Sequence, residues 1–126
     1  MVQGFADDNP VLAAPRSGVV TLSIRSRAEL YQAWMPFLMG GGLFVPSTRP
    51  YTLGEEVFVL LAEMNTTEKV TLRGTVAWIN PALMADGRPQ GIGVSLQGDP
   101  GAVDLRKRIQ ELLGTAIHSS RPTHTI

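Results

Sequence analysis

The segments EVFVLLA at residues 56–62 and VTLRGTVAWI at residues 70–79 are the strongest indication of the fold class. In the second stretch apolar and polar residues alternate, as they do in a half-buried β-strand, and the alternation predicts that Trp78 shares a face with Val76. The first stretch is apolar on both faces, which a sheet of one layer could not bury. Together they predict a small β-barrel with helices covering part of it.

The flanking segments supply further strands and mark the limits of the domain. Three short apolar runs predict additional strands, at residues 18–24, 43–45 and 92–96. The ends of the chain are polar and contain prolines or lack periodicity. We therefore expect a flexible leader at 1–17, a barrel domain at 18–114 and a flexible C-terminal tail at 115–126.

Two helices are predicted from their end signals. Ser26 and Glu29 form a capping box, in which hydroxyl and carboxylate bind free backbone amides, and Pro36 ends this first helix after about three turns. Asp99 as N-cap and Pro100 as the first helical residue open an amphipathic C-terminal helix. Its apolar stripe consists of Leu105, Ile109, Leu112 and Leu113.

Composition and charge exclude several classes of function. Eleven basic and eleven acidic residues give a formal net charge of zero, whereas a nucleic-acid-binding domain normally has a basic excess. There is no cysteine, and no apolar run is long enough to cross a bilayer. The two histidines, His118 and His124, lie in the predicted tail without a neighbouring carboxylate to orient either imidazole. We therefore expect a soluble, cytoplasmic, non-enzymatic protein with no catalytic residue, cofactor or metal site.

The predicted first helix has two apolar faces. At helical spacing, one face consists of Leu30, Ala33, Trp34 and Phe37, and the other of Tyr31, Met35 and Leu38. A short helix on a small barrel can bury only one stripe fully, so the second is either exposed or covered by loops or the other helix. Because Tyr and Met are favoured at interfaces, the second face is a candidate protein-binding surface. Trp78 has two open interpretations, a core side chain or a half-exposed anchor for a partner.

Gly40, Gly41 and Gly42 form the sharpest local feature. Consecutive glycines permit positive φ and close approach of another segment, and consecutive amides can also cradle a phosphate. No Lys or Ser/Thr follows at the spacing of a phosphate-binding loop, and no strand directly precedes the glycines. The sequence therefore favours a structural turn.

With these residues identified, the chain resembles the PilZ domain family, and within it the branch that assists type IV pilus assembly. The resemblance is carried by AELYQAWMPF at 28–37, GGGLFVP at 40–46, LGEEVF at 53–58, GTVAW at 74–78, GIGV at 91–94 and RPTHTI at 121–126. It implies a mainly β fold, a small six-stranded PilZ-type β-barrel with a short helix after the first strand and an amphipathic C-terminal helix.

Ordinary PilZ domains are receptors for cyclic di-GMP, which they hold with an Arg-x-x-x-Arg element and an Asp/Asn-x-Ser-x-x-Gly element. If the second element is placed on Gly42, Phe37 stands at the position of the acid or amide and Met39 at that of the serine. Arg25 and Arg27 are two positions apart instead of four. The resemblance therefore implies a chain that does not bind cyclic di-GMP by itself, because the ligand would lack its charge-assisted partners.

The pilus branch implies a non-enzymatic adaptor in type IV pilus biogenesis and twitching motility, at the pilus base or cell pole. The implied partners are a FimX-like scaffold with an EAL domain and the pilus assembly ATPase PilB. The candidate protein-binding residues are Tyr31, Met35, Leu38, Trp78, Pro122, Thr123 and His124. Two alternatives stay open: a cyclic di-GMP receptor with a non-standard pocket, and an OB-like barrel that binds nucleic acid.

Overall fold

The computed structural model describes residues 18–63, 69–82, 87–114, 116 and 122–125. Its elements are, in chain order, β1 (Gly18–Ser23), α1 (Arg27–Ala33), β2 (Gly42–Pro46), β3 (Glu56–Ala62), β4 (Lys69–Asn80), β5 (Gly91–Ser95) and α2 (Ala102–Leu113). Each of the predicted strands is confirmed, with ends that differ by one residue at most. The predicted leader at 1–17 lies outside the described residues.

The five strands of the described residues form one sheet in the order β1-β3-β4-β5-β2. β1 runs parallel to β3, and the other neighbouring pairs are antiparallel. The edge strands β1 and β2 approach each other, so the sheet curls into a half-barrel. The expected mainly β fold with two helices is confirmed, whereas the expected sixth strand is not found in the part of the chain that the structure describes.

The main core lies between the inner face of the sheet and α2. Along β3, Val57, Val59 and Leu61 are buried and alternate with residues that are less buried. Leu105 and Ile109 of α2 are buried and line the same small interior space as Leu61. Because burying a side chain of this size contributes about 1.5–3 kcal/mol, α2 is a major part of the core. The predicted apolar stripe of the C-terminal helix is confirmed.

α1 begins as its capping box predicts. The Ser26 hydroxyl accepts a hydrogen bond of 3.1 Å from the backbone amide of Glu29. The Glu29 carboxylate in turn accepts one from the Arg25 backbone amide at 2.9 Å and one from the Arg25 guanidinium at 3.2 Å. These bonds stabilise the ionised carboxylate and lower the pKa of Glu29.

α1 ends at Ala33, before the expected stop at Pro36. Trp34 already has an extended backbone, with φ of −72° and ψ of 131°. Helical spacing therefore does not apply beyond Ala33, and it does not predict the environment of the residues that follow. Met35 is fully buried, whereas Phe37 is 47% exposed. The predictions that Phe37 continues the helical face of Leu30, Ala33 and Trp34 and that Met35 continues that of Tyr31 are wrong for this reason.

α2 begins later than predicted. Ala102 is its first residue and Gly101 its N-cap, so the prediction that Asp99 caps the helix directly is wrong. The Asp99 carboxylate accepts a hydrogen bond of 2.8 Å from the Gly101 amide and one of 2.9 Å from the amide of Arg73 on β4. Asp99 thus holds the start of the helix against the sheet. Because Arg73 and Asp99 are far apart in the sequence, no local sequence pattern predicts this contact.

A register shift in β4 turns Trp78 to the outer face of the sheet. Val76 pairs with Val94, but Trp78 pairs with Gly93, so that Ala77 is an extra residue on β4. Paired residues share one face, and successive residues along β5 alternate between faces. Trp78 and Val76 therefore lie on opposite faces, and the prediction that they share one is wrong.

Candidate functional site

The outer face of β2 and β5 carries a second apolar cluster beside the main core. This outer cluster consists of Met35, Phe44 and Trp78, packed around Gly93. Phe44 and Trp78 are the residues opposite Gly93 on its two neighbouring strands. A Cβ atom added to Gly93 would lie 2.6 Å from Met35 Sδ and 2.7 Å from Trp78 Cβ. The missing side chain at Gly93 therefore allows Met35 and Trp78 to pack directly on the sheet.

The predicted glycine turn is confirmed as a structural turn. Gly40 and Gly41 have positive φ angles of 74° and 79°, a conformation that other residues rarely adopt. A Cβ atom added to Gly40 would lie 2.8 Å from Gln97 Cα. The turn brings residues 37–39 beside β5, where the Ser95 hydroxyl donates a hydrogen bond of 2.9 Å to the Met39 carbonyl.

An open cleft of about 430 Å³ lies where this turn meets β4 and β5. It is lined by Phe37, Leu38, Met39, Thr75, Ala77, Ser95 and Gln97. Phe37, Leu38, Met39 and Ala77 give it an apolar side, for which we call it the apolar cleft; Thr75, Ser95 and Gln97 are polar, and none of its described lining residues carries a charge. Phe37 and Met39 are 47% and 69% exposed, and the ring of Phe37 stands edge-on to Trp78 with 5.5 Å between ring centroids.

Residues 122–125 lie against the outer cluster. The ring of His124 is 5.3 Å from the ring of Phe44, centroid to centroid, and its backbone amide donates a hydrogen bond of 3.1 Å to the Gln32 carbonyl of α1. Burial lowers the pKa of His124, because it disfavours the charged imidazolium. Thr125 is buried as well. We call residues 122–125 the docked segment.

Asn80, at the end of β4, is the main anchor of the docked segment. Its Nδ2 donates hydrogen bonds to the carbonyls of Pro89 at 3.1 Å and His124 at 2.8 Å, while its Oδ1 accepts one from Trp78 Nε1 at 2.7 Å. Arg88 adds a bond of 2.8 Å to the Thr125 carbonyl. These two side-chain donors bind the carbonyls of His124 and Thr125, which belong to the tail that the sequence predicts to be flexible, and no local sequence signal indicates them.

A second open space, the α1–tail groove, has a volume of about 540 Å³ and lies beside α1. Its described lining consists of Arg27, Ala28, Tyr31, Gln32, Leu113, Ala116 and Pro122. Two of the sequence-predicted contact residues, Tyr31 and Pro122, thus come together although they are far apart in the sequence. The groove and the apolar cleft share no described lining residue.

The structure divides the predicted contact residues among different environments. Tyr31 and Pro122 line the groove, Leu38 lines the cleft, and Trp78 borders it through Phe37. Thr123 and His124 belong to the docked segment. Met35 is fully buried, so its side chain is not available to a partner.

Sequence reasoning from helical periodicity did not identify Phe37, Met39 and Asn80 as surface or anchor residues. The motif placement in the sequence analysis did mark Phe37 and Met39, as the positions where the resemblance leads one to expect an acid or amide and a serine. For Asn80 the available signal was a polar residue at the end of an alternating strand, just before Pro81; a polar side chain that is buried there requires hydrogen-bond partners.

Within the described residues, no three His, Cys, Asp or Glu side chains are grouped as a metal site would require. Neither of the described helices has the length and apolar character needed to span a membrane. A family model with the description PilZ domain matches residues 17–114 of the chain. No curated protein matches the chain.

Proposed function

The chain belongs to the PilZ domain family, and we propose that it is a non-enzymatic adaptor in type IV pilus biogenesis and twitching motility. In this proposal it binds a FimX-like EAL-domain scaffold and the pilus assembly ATPase PilB, and does not itself bind cyclic di-GMP. Its location would be the cytoplasm, at the pilus base or cell pole. PilZ domains are typically non-enzymatic binding domains, and family membership alone implies a receptor or adaptor role in cyclic di-GMP signalling.

The observation that carries the proposal is the absence of charge among the described lining residues of the apolar cleft. Ordinary PilZ domains place an acid or amide and a serine where this chain has Phe37 and Met39. Cyclic di-GMP has two phosphates and two guanines, which proteins bind through charge-assisted and bidentate hydrogen bonds. Each polar ligand group buried without a partner costs about 1–3 kcal/mol.

The arginines near α1 offer little to replace the missing partners. The Arg25 guanidinium is exposed and lies 3.2 Å from the Glu29 carboxylate. Arg27 lines the α1–tail groove and is absent from the lining of the apolar cleft. The two arginines therefore do not form the paired element that holds the ligand in ordinary PilZ domains.

The exposed apolar side chains favour contact with proteins. Phe37 and Met39 are exposed side by side, and aromatic and Met side chains are enriched in protein interfaces. The groove that contains Tyr31 provides a second, separate surface. Two surfaces without shared residues are what an adaptor with two partners requires.

Purified components test the proposal. Isothermal titration of cyclic di-GMP into the chain is expected to give no saturable binding, whereas micromolar binding would favour the receptor alternative. Pull-down of a purified EAL scaffold and of purified PilB should succeed with the wild-type chain. Phe37→Ala and Tyr31→Ala should each weaken at least one of the two complexes. Leu53→Ala is the control, because Leu53 is 62% exposed and lines neither surface.

A further inference from the structure

We propose that Asn80 is a positioning residue that links the docked segment to Trp78. Docking of residues 122–125 and the orientation of the Trp78 indole are therefore coupled. The coupling deepens the proposed function, because Trp78 and the segment are proposed partner contacts. Only its role in partner binding rests on that proposal. The coupling itself is a property of the isolated chain.

The orientation of the Asn80 carboxamide follows from its partners. Trp78 Nε1 can only donate a hydrogen bond, so the Asn80 atom facing it must be the acceptor Oδ1. Nδ2 then faces two backbone carbonyls, which can only accept, those of Pro89 and His124. Asn80 is 2% exposed, and both of its N–H donors are engaged. The three bonds therefore specify one position of the side chain.

This arrangement makes the indole and the segment depend on the same group. If the segment leaves, one N–H of Asn80 loses its acceptor and the carboxamide is held by two bonds instead of three. The acceptor that orients the Trp78 indole is then less firmly fixed. If a ligand moves the indole, the carboxamide loses the partner that aims its N–H groups at the segment.

Packing links the same two parts along a second route. The His124 ring lies on Phe44, and Phe44 and Trp78 are the two residues opposite Gly93. Removing the segment therefore uncovers the outer cluster of which Trp78 is a member. By thermodynamic reciprocity, a partner that contacts Trp78 and a partner that draws out the segment change each other's affinity by the same factor.

NMR of the isolated, ¹⁵N-labelled chain tests the coupling, because its two tryptophans give two indole N–H signals. Trp34 is buried in the main core and serves as the internal reference. In a chain that ends at Gly114, the Trp78 indole signal should shift and exchange faster with water, while the Trp34 signal stays in place. An unmoved Trp78 signal would overturn the proposal.

Asn80→Asp tests the opposite direction. The aspartate keeps an acceptor for Trp78 but presents an anionic oxygen to the two carbonyls, so heteronuclear NOE values of residues 123–125 should fall to those of a free chain end. Gln110→Glu, the same amide-to-acid change at an exposed position of α2 that lines neither the cleft nor the groove, should leave them unchanged. A folded Asn80→Asp chain with a rigid segment would contradict the proposal. If that variant does not fold, the shortened chain, in which Asn80 is intact, decides.

The proposed coupling and the proposed function can be contradicted independently of each other. These experiments contain no partner protein, so their outcome is independent of whether an EAL scaffold or PilB binds. A normal Trp78 response together with no partner binding would contradict the proposed function alone.

Discussion

Trp78 lies opposite Gly93 across β4 and β5, and a Cβ atom on Gly93 would lie 2.7 Å from Trp78 Cβ. Only a residue without a side chain allows the indole and Met35 to rest on the sheet at this point. The extra residue in β4 is what brings Trp78 to this face. A local backbone irregularity and one glycine thus create the outer cluster to which the docked segment binds.

Gly93→Ala should destabilise the chain by about 1–3 kcal/mol, because the added methyl group overlaps Met35 and Trp78 in a packed site. Urea denaturation followed by circular dichroism measures the loss. Gly101→Ala is the matched control, since Gly101 has a negative φ of −83° and its nearest neighbour is the Asp99 carboxylate at 3.2 Å. Its effect should stay within about 1 kcal/mol. Equal losses in both variants would contradict the packing described for Gly93.

Leu105→Ala should cost about 2–5 kcal/mol of unfolding free energy, because the side chain is buried between α2 and the sheet. Leu112→Ala, on the same helix but only partly buried, should cost clearly less. Urea denaturation of both variants checks the difference. A smaller loss for Leu105→Ala than for Leu112→Ala would show that α2 packs differently.

Met39→Ala should leave the unfolding free energy within about 0.5 kcal/mol of the wild type, since Met39 is mostly exposed. If the apolar cleft binds a partner, the same change should weaken that complex by about tenfold, the loss of a moderate contact of about 1 kcal/mol or more. Biolayer interferometry with the purified EAL scaffold and with PilB measures it. Unchanged affinity for both the EAL scaffold and PilB would show that Met39 is not part of either interface.

Docking of residues 122–125 should weaken as the pH falls below about 6.5, the ordinary pKa of histidine. Burial lowers the pKa of His124 in the docked state, so the released segment binds a proton more readily, and docking is fully favourable only above that value. The described contacts of His124 with Gln32, Phe44 and Asn80 offer no negative charge, and Arg88 adds a positive one nearby.

NMR of the segment amides between pH 7.5 and about 5 measures this change. His124→Gln removes the titrating group and should give a flat profile over the same interval. Stronger docking at low pH in the wild-type chain would contradict the assignment.

Local signals in the sequence predicted the strands, the glycine turn and the apolar stripe of α2, because alternation, consecutive glycines and helical spacing act over a few residues. They did not predict the end of α1 at Ala33, where Trp34 leaves the helix to pair with β2. The register shift at Ala77 reversed the face assigned to Trp78, since one extra residue exchanges the two faces of a strand.

The candidate site was predicted only in part, for the same physical reason. Tyr31 and Pro122 were identified as contact residues from their chemistry and from the family resemblance, but their meeting in one groove depends on the whole fold. Docking of the C-terminal segment depends on Asn80, which lies 44 residues before His124. No local sequence pattern spans a separation of that length.

Biolayer interferometry with the immobilised wild-type chain shows whether this chain binds proteins in place of cyclic di-GMP. Purified FimX-like EAL scaffold, purified PilB and cyclic di-GMP are applied separately as analytes. We expect saturable binding of both proteins and no response to cyclic di-GMP alone. Micromolar binding of cyclic di-GMP with no response to either protein would contradict it.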